Sequence, residues 1–139
     1  MNLIFLLDSN IISEPMKPRP SAKVMANLLH NAGKMSTATV VWHELLFGLH
    51  RLQPSRKREE LEQYFQTEVK AKLPFLPYDE AAAEWHALER ARLTKLGKPP
   101  SFVDSQIAAI AKVNQLILVT NNVSDYANFN DLQIENWYS

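Results

Sequence analysis

The sequence predicts an α/β fold of three layers, α/β/α, around a central, mostly parallel sheet of about five strands. Two observations predict it. Residues 3–7 (LIFLL) and 116–120 (LILVT) are continuous apolar runs of strand length without polar alternation, as expected of strands buried on both faces. Around them, short strand-like runs alternate with segments that are apolar at helical spacing, the pattern of a parallel sheet with helices on both sides.

The elements follow in order. After the 3–7 strand, Pro15, Pro18 and Pro20 mark a loop. Residues 21–30 read as a helix with Val24, Leu28 and Leu29 on one face, ended by Gly33. Residues 35–39 form a second strand, and 40–52 a helix closed by Pro54. Residues 56–72 form a charged amphipathic helix with Leu61, Tyr64, Phe65 and Val69 inward. Residues 75–78, set between prolines, suit a short strand near a sheet edge. Asp79 caps a helix running to residue 96 and stopped by Gly97. Pro99 and Pro100 precede a helix over 102–114, then comes the LILVT strand, and 133–137 is the last. With no repeat or low-complexity segment, residues 1–139 read as a single domain.

Composition narrows the function classes. Hydrophobic residues make up 46% and charged residues 22% of the 139, as in ordinary globular proteins. There is no cysteine, which removes disulfides and thiolate metal sites and suits a reducing cytoplasm. No apolar run approaches the roughly 20 residues of a membrane-spanning helix. The net charge is zero, so a polyanion partner would have to be held by local patches: Lys17 with Arg19, the stretch from Arg51 to Arg58, and Lys95 with Lys98.

Acidic residues converge on one edge of this predicted sheet. Ligands of such sheets bind beyond the carboxyl ends of the strands. Asp8 ends the first strand, Thr120 and Asn122 lie at the end of LILVT, and Glu44 and Asp104 fall in the first turns of helices that start at the same edge. Each has a plainer explanation. Asp8 suits a turn, Glu44 a solvated helix face, and Ser101-x-x-Asp104 a capping box. The helix around Glu44 is apolar all round, however, which predicts burial, and a buried glutamate without a partner is costly. Two carboxylates about 5 Å apart repel by on the order of 3 kcal/mol at an effective dielectric near 20. Protons or a cation must relieve that, and an all-oxygen donor set favours Mg²⁺ or Mn²⁺ over zinc. Other chemistries lack their residues. His43-Glu44 opens an H-E-x-x-H pattern that Phe47 breaks, Asn10 stands where an aspartyl phosphatase needs its second aspartate, and the three glycines form no phosphate loop.

Four segments, D-S-N-I-I-S-E-P at 8–15, V-V-W-H-E-L-L-F-G around Glu44, P-S-F-V-D-S-Q-I-A-A-I-A at 100–111 and V-T-N-N-V-S-D-Y at 119–126, closely resemble the PIN-domain ribonucleases. The nearest resemblance is to the VapC-type toxins of bacterial toxin–antitoxin pairs, including their FitB-like branch, and it extends over the whole chain. It implies a PIN-like fold and a cytoplasmic, Mg²⁺- or Mn²⁺-dependent endoribonuclease acting on structured RNA such as tRNA or rRNA. Asp8, Glu44 and Asp104 match the family's metal ligands. Ser9, Asn10 and Thr120 would shape the site, and Lys17, Arg19 and Arg51 would meet RNA phosphates. Many members carry a further acid where this chain has Asn122. Asp125 is placed to compensate, so one well-held cation is expected, with a second arriving only with substrate. A cognate antitoxin and a homodimer are the partners implied. Exposed residues such as Phe47, Leu52, Tyr64 and Phe65 are candidates to receive an antitoxin tail, or more plainly belong to the core or to a homodimer contact. The other readings are a non-catalytic RNA- or partner-binding module and a metal-dependent DNA nuclease.

Overall fold

The computed structural model describes residues 2–139. Five strands, β1 (Phe5–Leu7), β2 (Met35–Ala38), β3 (Phe75–Leu76), β4 (Ile117–Val119) and β5 (Ile134–Glu135), form one sheet in the order β3-β2-β1-β4-β5. Every neighbouring pair is parallel, and helices flank the sheet in a three-layer α/β/α arrangement. The apolar runs lie where they were expected. β1 is central, β4 is beside it, and Leu6, Leu7, Leu118 and Val119 are buried. β3 occupies an edge, where Pro74 and Pro77 cost few ladder bonds. Trp42 closes over that edge, its ring 4.9 Å from Phe75 and 5.8 Å from Phe65.

Among the described residues seven α-helices connect the strands: α1 (Ser9–Ser13), α2 (Ala22–His30), α3 (Thr39–His50), α4 (Arg56–Tyr64), α5 (Glu80–Lys95), α6 (Phe102–Val113) and α7 (Val123–Tyr126). Side-chain oxygens of Ser21, Ser55, Asp79 and Ser101 cap α2, α4, α5 and α6. At the end of α5, Gly97 takes φ +73°. Its N–H meets the Thr94 carbonyl and that of Lys98 meets Leu93, a Schellman stop that turns the chain toward Pro99 and α6.

The structure corrects three expectations and adds one short element. The predicted 56–72 helix is two segments, because the turn from Phe65 to Lys70 is π-helical. Residues directly after Asp8, to which the sequence assigned no element, form α1. α3 is not buried all round. Val41, Leu45 and Leu49 recur every fourth residue against the core, whereas His43, Glu44, Phe47 and Gly48 face out, so Glu44 is exposed rather than buried. Of the four residues offered as an exposed docking patch, Phe47 alone is exposed. Phe65 is buried, Leu52 is half-buried, and half-buried Tyr64 donates its hydroxyl to the Ile12 carbonyl.

The strand order has one consequence for the site. From β1 the chain moves outward through β2 and β3, then returns to the other side of β1 as β4 and β5. The order therefore reverses between β1 and β4, and a crevice opens beyond their carboxyl ends. Leu7 pairs with Val119, so Asp8 and Thr120, one residue further along each strand, stand side by side at that crevice.

Candidate active site

Asp8 is anchored from both sides. Its N–H donates to the Val119 carbonyl at 2.9 Å. Its carboxylate caps α1, with Oδ1 accepting the Ser9 N–H at 2.8 Å. Oδ2 accepts the Thr120 hydroxyl at 2.9 Å. The residue is 5% exposed. Thr120, fully buried, distributes the rest. Its Oγ1 accepts from the Asn122 N–H at 3.0 Å and from Asn10 Nδ2 at 3.4 Å, while Asn10 Oδ1 accepts the Asn121 N–H at 3.0 Å. Asn10 and Thr120 thus tie the ends of β1 and β4 together around one carboxylate, which Ser9 holds through its backbone N–H.

Asp104 arrives from α6. Ser101 Oγ accepts its N–H at 3.1 Å, so half of the capping box forms. The reciprocal bond, from the Ser101 N–H to the carboxylate, does not form among the described residues. Oδ1 instead meets the Tyr126 hydroxyl at 3.2 Å, and the same hydroxyl lies 3.3 Å from Asp8 Oδ2. Tyr126 therefore bridges the two acids, a contact that the sequence signalled only as an aromatic residue after Asp125. Burial, then the charges of Asp8 and Asp104, push its phenol far above the ordinary range, so it remains a protonated donor.

The other acids stand around this pair. Burial pushes the Asp104 carboxyl up, the Ser101 and Tyr126 hydroxyls draw it partly back, and the charges of Asp125 and Asp8 add to the rise. Glu44 sits on the open side of α3. Partial desolvation raises its carboxyl, followed by the charges of Asp8 and Asp104. Asp125 is exposed on α7 and shares with Asp104 a cleft of about 270 Å³ walled by Lys98, Pro99 and Phe129. Asn122 is exposed, and its side chain does not cap α7. On the Glu44 side a groove of about 390 Å³ runs from Ser9 past Gly48 to Lys57 and Leu61.

No three acidic or imidazole side chains among the described residues stand close enough to cage a metal ion alone. The donor chemistry still fits a hard cation. All candidate donors are oxygens, and no cationic side chain pairs with Asp8 or Asp104 among the described residues. Mg²⁺ in particular keeps several waters and needs one or two carboxylates.

The predicted phosphate contacts are less uniform. Lys17 pairs with Glu14 at 2.8 Å and lies 5.9 Å from the Tyr138 ring. Arg51 lies over the Phe47 ring at 5.4 Å, and Arg19 is exposed. Glu14, which sequence reasoning passed over, is buried and accepts from Ser21 N–H, Tyr138 OH and Lys17. Lys17 above all, then Tyr138 and Ser21, hold its carboxyl at about 2 against an ordinary 4.5. A lowered folded value stabilises the fold fully above pH 4.5, and that contribution drains away as pH falls toward 2. Glu89, lowered by Arg92, acts in the same sense, while the raised Asp104 and Glu44 gain stability as they protonate below neutrality. Urea midpoints measured from pH 5 to 2.5 should fall, and Glu14→Gln should flatten the slope.

A family model of the PIN domain matches residues 5–128. The chain belongs to the PIN domain family. Among its PIN-domain relatives, the tRNA(fMet)-specific endonuclease VapC of Shigella flexneri is 34% identical over 136 residues, covering 97% of this chain and 98% of the relative. Toxin FitB of Neisseria gonorrhoeae is 31% identical over 131 residues, 88% and 91% of the two chains. In a solved structure of FitAB bound to the IR36 DNA fragment, a chain 26% identical superposes with a TM-score of 0.90, over 98% of this PIN domain and 96% of that chain. Its relatives thus carry the names of ribonucleases and of toxins.

Proposed function

We propose that this PIN domain is the endoribonuclease toxin of a toxin–antitoxin pair and cuts structured RNA, with tRNA the first substrate class to test, in a reaction that depends on Mg²⁺ or Mn²⁺. The observation that carries it is the Asp8–Asp104 pair, joined through one phenol at the crevice between β1 and β4, with Glu44 of α3 near enough for both charges to act on its carboxyl. The S. flexneri relative, named for tRNA(fMet), supports the substrate class.

Asp8 and Asp104 would hold the cation, with Glu44 as the third acid and Asp125 at the margin in place of a charge at Asn122. Bound there, a divalent cation supplies activation of a water and stabilisation of charge developing on a phosphodiester. The protein's own part is to fix the acids. Thr120 and the Ser9 N–H hold the Asp8 carboxylate, and the start of α6 presents Asp104. RNA would cross the acids through the two clefts. Lys57 and Lys98 line them and make no ion pair among the described residues, so they are free to meet phosphates beside Lys17, Arg19 and Arg51. An apolar groove between Met25, Leu28 and Leu29 of α2 and Tyr64, Val69 and Leu73 offers an antitoxin segment a seat. Leu29 is 81% exposed there.

Purified protein incubated with total tRNA and Mg²⁺ or Mn²⁺ should produce discrete fragments, and EDTA should abolish them. A folded protein that leaves tRNA and rRNA intact but nicks DNA under the same metals would move the assignment to a DNA nuclease.

A further inference from the structure

This inference rests on the reading of Asp8 and Asp104 as the carboxylates that hold a divalent cation, and gives a role to a side chain outside that set. The Tyr126 hydroxyl stands 3.3 Å from Asp8 Oδ2 and 3.2 Å from Asp104 Oδ1, on a residue 1% exposed. A phenol has one hydrogen to donate. It can satisfy one carboxylate at a time, and both contacts are longer than the roughly 2.5–2.7 Å of an O–H···O⁻ bond. The hydroxyl therefore sits between two acceptors and belongs fully to neither. Asp8 has two shorter bonds of its own, from Ser9 N–H at 2.8 Å and Thr120 at 2.9 Å, so the phenol is not needed to orient it. What it alone supplies is a positive hydrogen between two negative groups that no cationic side chain neutralises.

We propose that Tyr126 is a positioning residue of the cation-free protein: its hydroxyl stands in for the cation between Asp8 and Asp104, and yields one of them when a cation is bound. A dication offers both carboxylates far more than one shared hydrogen does, and it competes for the same oxygens. Removing the hydroxyl must then cost the cation-free state more than the loaded one. By linkage, the same difference appears as tighter cation binding.

The test is Tyr126→Phe, which keeps the ring and its packing beside Phe129, 6.3 Å away between centroids. Calorimetric titration with Mn²⁺ alone, without RNA, should give a dissociation constant about three- to tenfold lower than wild type, the worth of a partial hydrogen bond to a charge. The cation-free variant should melt below wild type, and saturating Mn²⁺ should narrow that gap. An unchanged affinity would mean that the ring merely packs. A weaker one would mean that the hydroxyl supports the loaded site. Either overturns the proposal, as does a variant that is unfolded without cation and stays unfolded at saturating Mn²⁺. Asp8→Asn, titrated alongside, separates the two levels. If it binds Mn²⁺ as wild type does, the reading of the acid pair falls and the role of Tyr126 falls with it. If it loses binding while Tyr126→Phe fails to tighten, only the role of Tyr126 falls.

Discussion

Asp8→Asn is expected to lower RNA cleavage by about 10³-fold or more while leaving the protein folded. The asparagine keeps one oxygen to cap α1 through the Ser9 N–H, and it is nearly the same size in a site that is 5% exposed. It loses the charge that binds a cation, and removing one charge-stabilising group from a catalytic site typically costs about 10²–10³-fold even where no metal is involved. Repulsion with Asp104 and Glu44 falls at the same time, so stability should change by no more than about 1 kcal/mol, a common exchange at functional sites. Single-turnover cleavage paired with a thermal melt checks both halves. Full activity in a folded Asp8→Asn protein would remove the acid pair from the mechanism.

Thr120→Val should cost stability and activity together. The substitution preserves shape in a fully buried position but deletes the oxygen on which three groups depend. Asp8 Oδ2 loses its closest donor at 2.9 Å, and the Asn122 N–H and Asn10 Nδ2 lose their acceptor. One hydrogen bond to a charge and one stranded backbone N–H add up to about 3 kcal/mol. For a chain of this length that lowers the melting temperature by roughly 10 °C. Cleavage below the melting range should fall about tenfold or more, because the ends of β1 and β4 lose their shared hinge point. Thr120→Ser, which restores the hydroxyl, should recover most of both.

Much of this architecture was legible in the residues. The runs LIFLL and LILVT read as buried neighbours in a parallel sheet because neither face offers a polar position. The caps Asp79 and Ser101 marked helix starts because their side chains have an evident backbone N–H to serve. Elements of four or five residues escaped. α1 and α7 are too short to show a period, yet they aim Asp8 and Tyr126 at the site. The burial of α3 was overestimated because aromatic and apolar side chains at the rim of a cleft look the same in sequence as those in a core. Phe47 is such a residue. Asp104 shows the converse. Its S-x-x-D spacing suggested a carboxylate occupied in capping, and only the placement of Tyr126, 22 positions away, shows where Oδ1 points. Contacts across more than a hundred positions, such as Tyr126 to Asp8, leave no local pattern.

Those long separations set a schedule for synthesis. Asp8 is made before its partners Thr120 and Tyr126, which follow 112 and 118 positions later. β1 likewise lies between β2 and the much later β4, so it has no complete sheet around it until β4 is added. At about 5–20 residues per second, a growing chain spends several seconds on the ribosome with its acids scattered. Under the proposed function, a nascent chain of this kind has no assembled site with which to cut RNA. The crevice closes only once the segment ending at Tyr126 is free to fold.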